Sequence, residues 1–311
     1  MRLLTVGGKV VSVGGKAIEI PDSSGGVYQI AVETSAGASV SASKGTTTVS
    51  GTADTNGSCT LTLYEPGEWS VSASLNGITK TQTVNIGTQS MKLPLAELKD
   101  TFAANSWETI ITACHGGFVP DTWVVGDSKP MAINGTNYQI DIIGKNHDVY
   151  TDGSGTAPLT FQLHDCYSEA KQMYSTDLSG LGWKNTDMRL TYLPAILALM
   201  PAEVKNGIHA VNKKTSEGGN STTIETVSDT LFLLSEVEVF GTNHSSVPGE
   251  GIQYDYYKAG NPKIKKREGV DEFWWERSSA SGGMFCRVRD NGQAGASNAS
   301  SSLGVSFAFC F

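Results

Sequence analysis

Histidine, cysteine and carboxylate side chains stand side by side at three places, Cys114-His115, His147-Asp148 and His164-Asp165-Cys166. His147-Asp148 has the residue types for general acid–base work, in which a titratable group is held by a partner. A dyad also needs a third group to orient it, and none is visible, so His147 is expected to be a structural hydrogen-bonding residue. The other two clusters offer metal-ligating atoms, but neither has the spacing of a zinc site. No Walker loop or dinucleotide glycine motif is present. The sequence therefore nominates no catalytic residue, no metal site and no cofactor. Five cysteines, Cys59, Cys114, Cys166, Cys286 and Cys310, form an odd set without zinc spacing and are expected as buried free thiols.

The elements that must position these groups are drawn from a chain of 311 residues, long enough for two or three domains, with 39% hydrophobic and only 17% charged residues. Thirty-five glycines and abundant Ser and Thr favour strands and turns over long helices. A net charge of -8 argues against a general nucleic-acid binder, which needs a basic surface. The local basic run Lys263, Lys265, Lys266 and Arg267 reads as a solvated turn after Pro262. No apolar run approaches a membrane span, so no membrane insertion is expected. The first residues, Met1 to Gly8, break too early for a signal peptide, which implies synthesis in a bacterial cytoplasm.

In residues 1–25, Val6-Gly7-Gly8-Lys9 recurs as Val13-Gly14-Gly15-Lys16 between short β-prone runs. Gly-Gly suits tight hairpins, and so small an arm needs a neighbour to pack on. Residues 1–20 are expected to attach to another protein; a frayed tail is the plainer alternative. Residues 26–88 alternate apolar and polar positions, with turns at Asn56-Gly57, Pro66-Gly67 and Asn76-Gly77, as in a β-sandwich. The run Thr55 to Leu61 followed by Glu65-Pro66-Gly67-Glu68-Trp69-Ser70-Val71 resembles transthyretin-like or Cna-B-type stalk domains, which implies a spacer. Residues 89–104 carry a short helical pattern read as a linker. A second helix follows, capped by Asn105 or Ser106 with Glu108 completing a capping box, its apolar stripe Trp107, Ile110, Ile111 and Cys114, its end Gly116-Gly117. Strands at Met131–Ile133 and Tyr138–Ile143 flank an Asn134-Gly135-Thr136 turn.

From Trp107 onward, the motifs accumulate in order: Gly126-Asp127-Ser128-Lys129, Asn134-Gly135-Thr136-Asn137-Tyr138, Ile142-Ile143-Gly144-Lys145-Asn146-His147-Asp148, Thr160-Phe161, Gly182-Trp183, Met188-Arg189, Leu231 to Gly241, and Phe273-Trp274-Trp275-Glu276-Arg277-Ser278. Residues 105–311 thereby resemble a DUF6273-like domain common in gut-bacterial and phage proteins. The resemblance implies a C-type-lectin fold of the branch shared with formylglycine-generating enzymes and phage tropism determinants. The expected class is therefore α+β: a β arm and an Ig-like or transthyretin-like β-sandwich, followed by a C-type-lectin-like domain.

The last forty residues carry a second resemblance. A small-residue run is held between Phe273-Trp274-Trp275 and the alternating Phe307, Phe309 and Phe311, which one strand face would gather. The pattern is similar to the variable region of proteins targeted by diversity-generating retroelements. The resemblance implies fixed anchors at Trp275, Arg277, Phe285, Val288, Gly292, Gly304, Val305, Phe307 and Phe309. It implies a diversified binding face within 274–306, at Trp274, Ala280, Gly283, Met284, Arg287, Arg289, Asp290, Gln293, Gly295, Ala296, Ser297, Asn298, Leu303 and Ser306. Arg287 and Arg289, two apart on one strand, share a face and suit an anionic receptor group, or else pair with Glu276 or Asp290.

The function implied is that of a receptor-binding protein of a phage tail or similar particle, located in the virion. It would attach to a tail or baseplate protein through residues 1–20, assemble as a homotrimer and bind a host cell-surface protein or glycan, without nucleic acid. Two alternatives stand beside it. One is an enzyme of the sulfatase-modifying branch using Cys286 and Cys310, although that branch uses a close cysteine pair and these two are far apart in sequence. The other is a structural decoration protein without a ligand. The calcium ligand sets of sugar-binding lectins are missing from this sequence.

Overall fold

The computed structural model describes residues 28–86, 98–117, 119–177, 182–219 and 221–311, and within 1–27 and 87–97 only the backbone of short strands. It divides into two compact units, Met1–Glu97 and Leu98–Phe311. In the arm, Thr5–Val6 pairs antiparallel with Lys9–Val10, Ser12–Val13 with Lys16–Ala17, and Arg2–Leu3 with Glu19–Ile20. The hairpin turns expected from the sequence were Gly7-Gly8 and Gly14-Gly15. The glycines themselves, and the linker from Pro21 to Gly26, lie outside the described residues.

Residues 28–86 bear out the expected strand alternation. One sheet pairs Tyr28–Glu33 with Ser58–Leu63 and, in parallel, with Met91–Lys92. The other runs in the order Ile78–Ile86, Gly67–Leu75, Ser39–Lys44, Thr47–Thr52. Ile30, Val32, Cys59, Leu61 and Leu63 from the first sheet share one core with Val40, Trp69, Val71 and Ala73 from the second, so the two sheets form a sandwich. At Asn76-Gly77 both residues take positive φ (50° and 82°), as a two-residue hairpin turn demands.

The C-terminal unit departs from the expected α+β class. Strand makes up 40% of the chain and helix 18%, and the strands are divided among several small sheets. Trp107–Gly116, with ten residues, is the longest helix among the described residues; Leu193–Leu199, Ala202–Gly207, Glu236–Phe240 and Asp255–Lys258 have four to seven. The chain is β-rich. The α+β class had been taken from the C-type-lectin resemblance, whereas the abundance of Gly, Ser and Thr already favoured strands and turns over long helices. The linker helix is also corrected. Phe102–Ala104 forms a single 3-10 turn belonging to the C-terminal unit, and residues 93–97 lie outside the described residues.

Helix Trp107–Gly116 buries Trp107, Ile110, Ile111 and Cys114 as its stripe required, and ends on Gly117 in the left-handed region. Its cap is Ser106, whose hydroxyl accepts from Thr109 N; the expected box through Glu108 does not form because the register starts one residue later. Asn105 instead ties down the preceding turn, bonding Lys99 N and the carbonyls of Lys99, Thr101 and Phe102.

The central sheet is antiparallel, in the order Ser128–Ile133, Thr136–Lys145, Leu159–Leu163, Ala308–Cys310. Phe161 lies at the middle of an aromatic cluster, its ring 6.0 Å from Phe102, 6.0 Å from Trp107, 5.4 Å from Phe309 and 5.2 Å from Phe311. The last strand is thus buried on both faces, because Cys310 turns inward opposite the phenylalanines. Replacing Phe161 with Ala is expected to cost about 3–5 kcal/mol of stability in the C-terminal unit, measured by urea denaturation. A loss below about 1 kcal/mol would contradict this packing.

Candidate functional site

Strand Thr136–Lys145 carries a β-bulge between Ile142 and Gly144, and Asn146 follows at φ 52°. These two irregularities turn Asp148 into the interior. There Asp148 accepts from Lys213 Nζ at 2.7 Å, Thr160 Oγ1 at 2.6 Å and Tyr254 Oη at 2.8 Å. Lys213 spends its other two donors on Glu238 Oε1 (2.8 Å) and Tyr254 Oη (3.0 Å). Glu238 in turn receives both Nη nitrogens of Arg277, at 2.5 and 2.9 Å. Arg277 is fully enclosed, and its remaining donors reach the carbonyls of Leu233, Lys214 and Glu250. Asp148, Lys213, Glu238 and Arg277 therefore form one buried chain of alternating charge.

Burial pushes the Asp148 carboxyl up, but the Lys213 charge and its hydrogen bonds outweigh this and hold it at about 2. Glu238 is likewise held low, burial being outweighed by Arg277 and Lys213. This chain floors a cleft of about 340 Å³ lined by His147, Asn212, Lys214, Glu250 and Ile252 among others. His147 stacks on Tyr254 with ring centroids 3.9 Å apart, and burial lowers its pKa. The expected role for His147 was hydrogen bonding; what the structure shows is ring stacking on Tyr254, beside a carboxylate already engaged by other donors.

The other sequence clusters stay apart. His115 Nε2 donates to the Gly207 carbonyl at 2.8 Å and its ring stacks on His209, whereas His164 Nδ1 lies 2.7 Å from Asp141. All five cysteines are buried and free. Cys310 sits against Asp148 and Thr160, while Cys286 faces Glu236 and Glu276, and burial raises both thiols. The basic run at 263–267 is no solvated turn. Lys265 is buried over the Trp274 ring and donates to the Leu163 and His164 carbonyls, and burial lowers its pKa to about 8.

The tail forms a three-stranded sheet of Trp274–Ser279, Met284–Val288 and Ala294–Asn298. Its register shifts between Trp275 and Ser279, so that Glu276, Arg277 and Ser278 all lie opposite the single residue Cys286. This irregularity sends Arg277 toward Glu238 and lets its backbone N–H pair with Leu234 O at 2.7 Å. The anchors Trp275, Arg277, Phe285, Val288, Gly304, Val305, Phe307 and Phe309 are buried, whereas the ninth, Gly292, is only half-buried and sits at φ 80° in the hairpin turn. Gly304 is required by close approach, since a Cβ there would lie 2.5 Å from Cys166 Sγ and 3.0 Å from Phe273 O.

The nominated binding positions do not form one face. Trp274, Ala280, Gly283, Gly295 and Ser306 are buried and unavailable to a receptor. Trp274 donates its indole N–H to Lys263 O, and Ser306 donates to Leu163 O. Small size made Ala280, Gly283 and Ser306 look like surface residues, but here it serves tight packing. Arg289, Asp290, Gln293 and Asn298 are exposed; Met284, Arg287, Ala296, Ser297 and Leu303 are half-buried. Arg289, Asp290 and Gln293 sit at the hairpin tip with the exposed Asn291, which the sequence reading omitted and whose turn-forming Asn-Gly pair was its signal.

Arg287 and Arg289 do share a face: a Cβ on Gly295 would lie 2.8 Å from Arg289 Nε and 3.7 Å from Arg287 Nε. Arg287 covers the Phe273 ring at 4.1 Å and donates to Ala296 O. Neither arginine forms an ion pair with a carboxylate among the described residues, so the expected alternatives of Glu276 and Asp290 as partners are not realised; Glu276 is buried elsewhere. Burial first, and the Arg289 charge second, lower the Arg287 pKa.

Residues 160–311 match a family described as a domain of unknown function, DUF6273. The match begins within strand Leu159–Leu163 and takes in Lys213, Glu238, Arg277 and the whole tail, but not Asp148. No curated protein matches the chain.

Folding depresses the Asp148 pKa from 3.8 to about 2. Its contribution to stability is therefore complete above the unfolded value and is lost as pH falls toward the folded one. Asp148→Asn is expected to be less stable than wild type at neutral pH, with the gap narrowing as pH falls from 4 to 2 in acid denaturation curves. Curves that stay parallel down to pH 2 would contradict the assignment.

Proposed function

We propose that the chain is a receptor-binding protein whose C-terminal hairpin, Met284–Val288 with Ala294–Asn298, meets an anionic group on a host cell surface. The observation that carries this reading is the unpaired guanidinium couple of Arg287 and Arg289 on a rigidly anchored sheet. The two like charges repel one another, Asp290 acts on Arg287 without forming an ion pair, and an anion between the guanidiniums relieves the remaining cost. Arginine over an aromatic ring, with Asn and Gln at an exposed tip, is also the chemistry of protein recognition surfaces.

The similarity of the tail to retroelement-diversified regions supports a face whose exposed residues vary while the buried frame stays fixed. The sandwich of residues 28–86 would serve as a spacer and the arm as the attachment to a phage tail or similar particle. A homotrimer would add avidity to weak single sites. The cleft beside His147 favours binding over catalysis, because each donor of Lys213 and the Asp148 carboxylate are already engaged.

Flow cytometry with labelled full-length chain on a panel of bacterial strains tests this. On strains that bind, Arg287→Ala/Arg289→Ala is expected to lower affinity on the order of tenfold to a hundredfold, and added salt to weaken wild-type binding. Lys258→Ala, at an exposed lysine of helix Asp255–Lys258 and outside the tail sequence, should bind as wild type. A double variant that binds as tightly as wild type would contradict the proposal.

A further inference from the structure

We propose that Glu236, Glu276 and Cys286 form a buried site for a zinc-type divalent cation. One ligand atom from each residue lies within 4.8 Å of the other two, and all three residues are buried. Glu276 supplies the second observation. It is fully buried, and neither carboxylate oxygen has a hydrogen-bond partner. Native structures rarely leave such a group unsatisfied, because desolvating it without compensation is costly.

The three residues meet through irregular backbone. The register shift in Trp274–Ser279 places Glu276 opposite Cys286 on the neighbouring strand. Glu236 opens the helix Glu236–Phe240, held there by Ser278 Oγ, which accepts from its backbone N–H. Its Oε2 is occupied by the N–H groups of His244, Ser245 and Ser246 and by the Ser246 hydroxyl. Its Oε1 accepts a 3.1 Å bond from Ser245, and the Cys286 thiol donates to the same carboxylate, a contact that a cation would replace when it takes the thiolate.

The donor set selects the ion. Calcium and magnesium take oxygen ligands, whereas zinc accepts thiolate and carboxylate together. Zn–S of about 2.3 Å and Zn–O of about 2.0–2.2 Å set neighbouring ligand atoms roughly 3.3–3.7 Å apart in a tetrahedron. The three donors therefore need to close by at most roughly 1.5 Å, which rotation about the broad terminal carboxylate torsion can provide. Glu276, with both oxygens free, can supply two donors and complete four-coordination. Cys286 binds as thiolate and both glutamates as carboxylates, the thiol proton and any proton carried by the enclosed Glu276 being released to solvent, so a dication meets three negative charges. Such an ion would pin the distorted strand to both the helix and the next strand, directly behind the arginine-bearing hairpin. Because the site is enclosed, loading accompanies folding.

The test is refolding of the untagged full chain from denaturant with Co²⁺ in place of zinc, followed by desalting, elemental analysis and absorption spectroscopy. Wild type is expected to retain one Co²⁺ per chain and to show a thiolate-to-cobalt charge-transfer band. Cys286→Ser should lose the band, Cys114→Ser should keep it, and Glu276→Gln should weaken binding by about a hundredfold or more, beyond the effect of an outer-shell partner. If Glu276→Gln does not refold, Cys286→Ser decides. Wild type that retains no cobalt, or a band that survives in Cys286→Ser, would overturn the proposal.

Discussion

Arg277 is the constraint on which the C-terminal unit depends. A guanidinium cannot give up its charge inside a protein, so once this residue is enclosed every neighbour must answer to it. Glu238 takes it bidentately, and the carbonyls of Leu233, Lys214 and Glu250 absorb the other donors. Glu238 then binds Lys213, and Lys213 binds Asp148. Four stretches far apart in sequence are thereby held in one geometry. A buried ion pair adds little net stability over an apolar core, but leaving one partner alone costs about 3–5 kcal/mol, which makes the arrangement close to all-or-none.

The same distortion that sends Arg277 inward organises the tail. With Glu276, Arg277 and Ser278 opposite one residue, the strand cannot continue as a regular ladder, and it is fixed instead by side-chain charge and by Leu234. The aromatic terminus closes the central sheet next to this region. What is left to solvent is the hairpin tip and the edge carrying the two arginines. Rigid anchors around an adaptable polar edge suit recognition, since little order must be imposed when a ligand arrives.

Local features were legible in the sequence. Asn76-Gly77 and Asn134-Gly135 specified hairpins by their tolerance of positive φ, and both formed. The stripe of Trp107, Ile110, Ile111 and Cys114 specified a buried helix face. The features that were missed are long-range. Lys265 read as a solvated charge and Lys213 drew no role, because burial of a lysine depends on partners distant in sequence, backbone carbonyls for Lys265, Asp148 and Glu238 for Lys213. Glu276 was only considered as an arginine partner, since an alternating strand gives no sign of a register shift that turns three successive residues inward. The β-rich class was legible in composition, but the α+β expectation followed the C-type-lectin resemblance instead.

A diversified binding face is tested most directly in DNA, by sequencing the region around the gene for a near-copy of the segment encoding Trp274 to Phe311. The expected result is a copy that differs where it has adenine, with the affected codons at exposed or half-buried positions such as Met284, Arg287, Arg289, Asp290, Gln293, Ala296, Ser297 and Asn298. The codons for Trp275, Arg277, Phe285 and Phe307, all buried, should be untouched. Absence of any copy, or differences concentrated in the buried anchor codons, would contradict a diversified face.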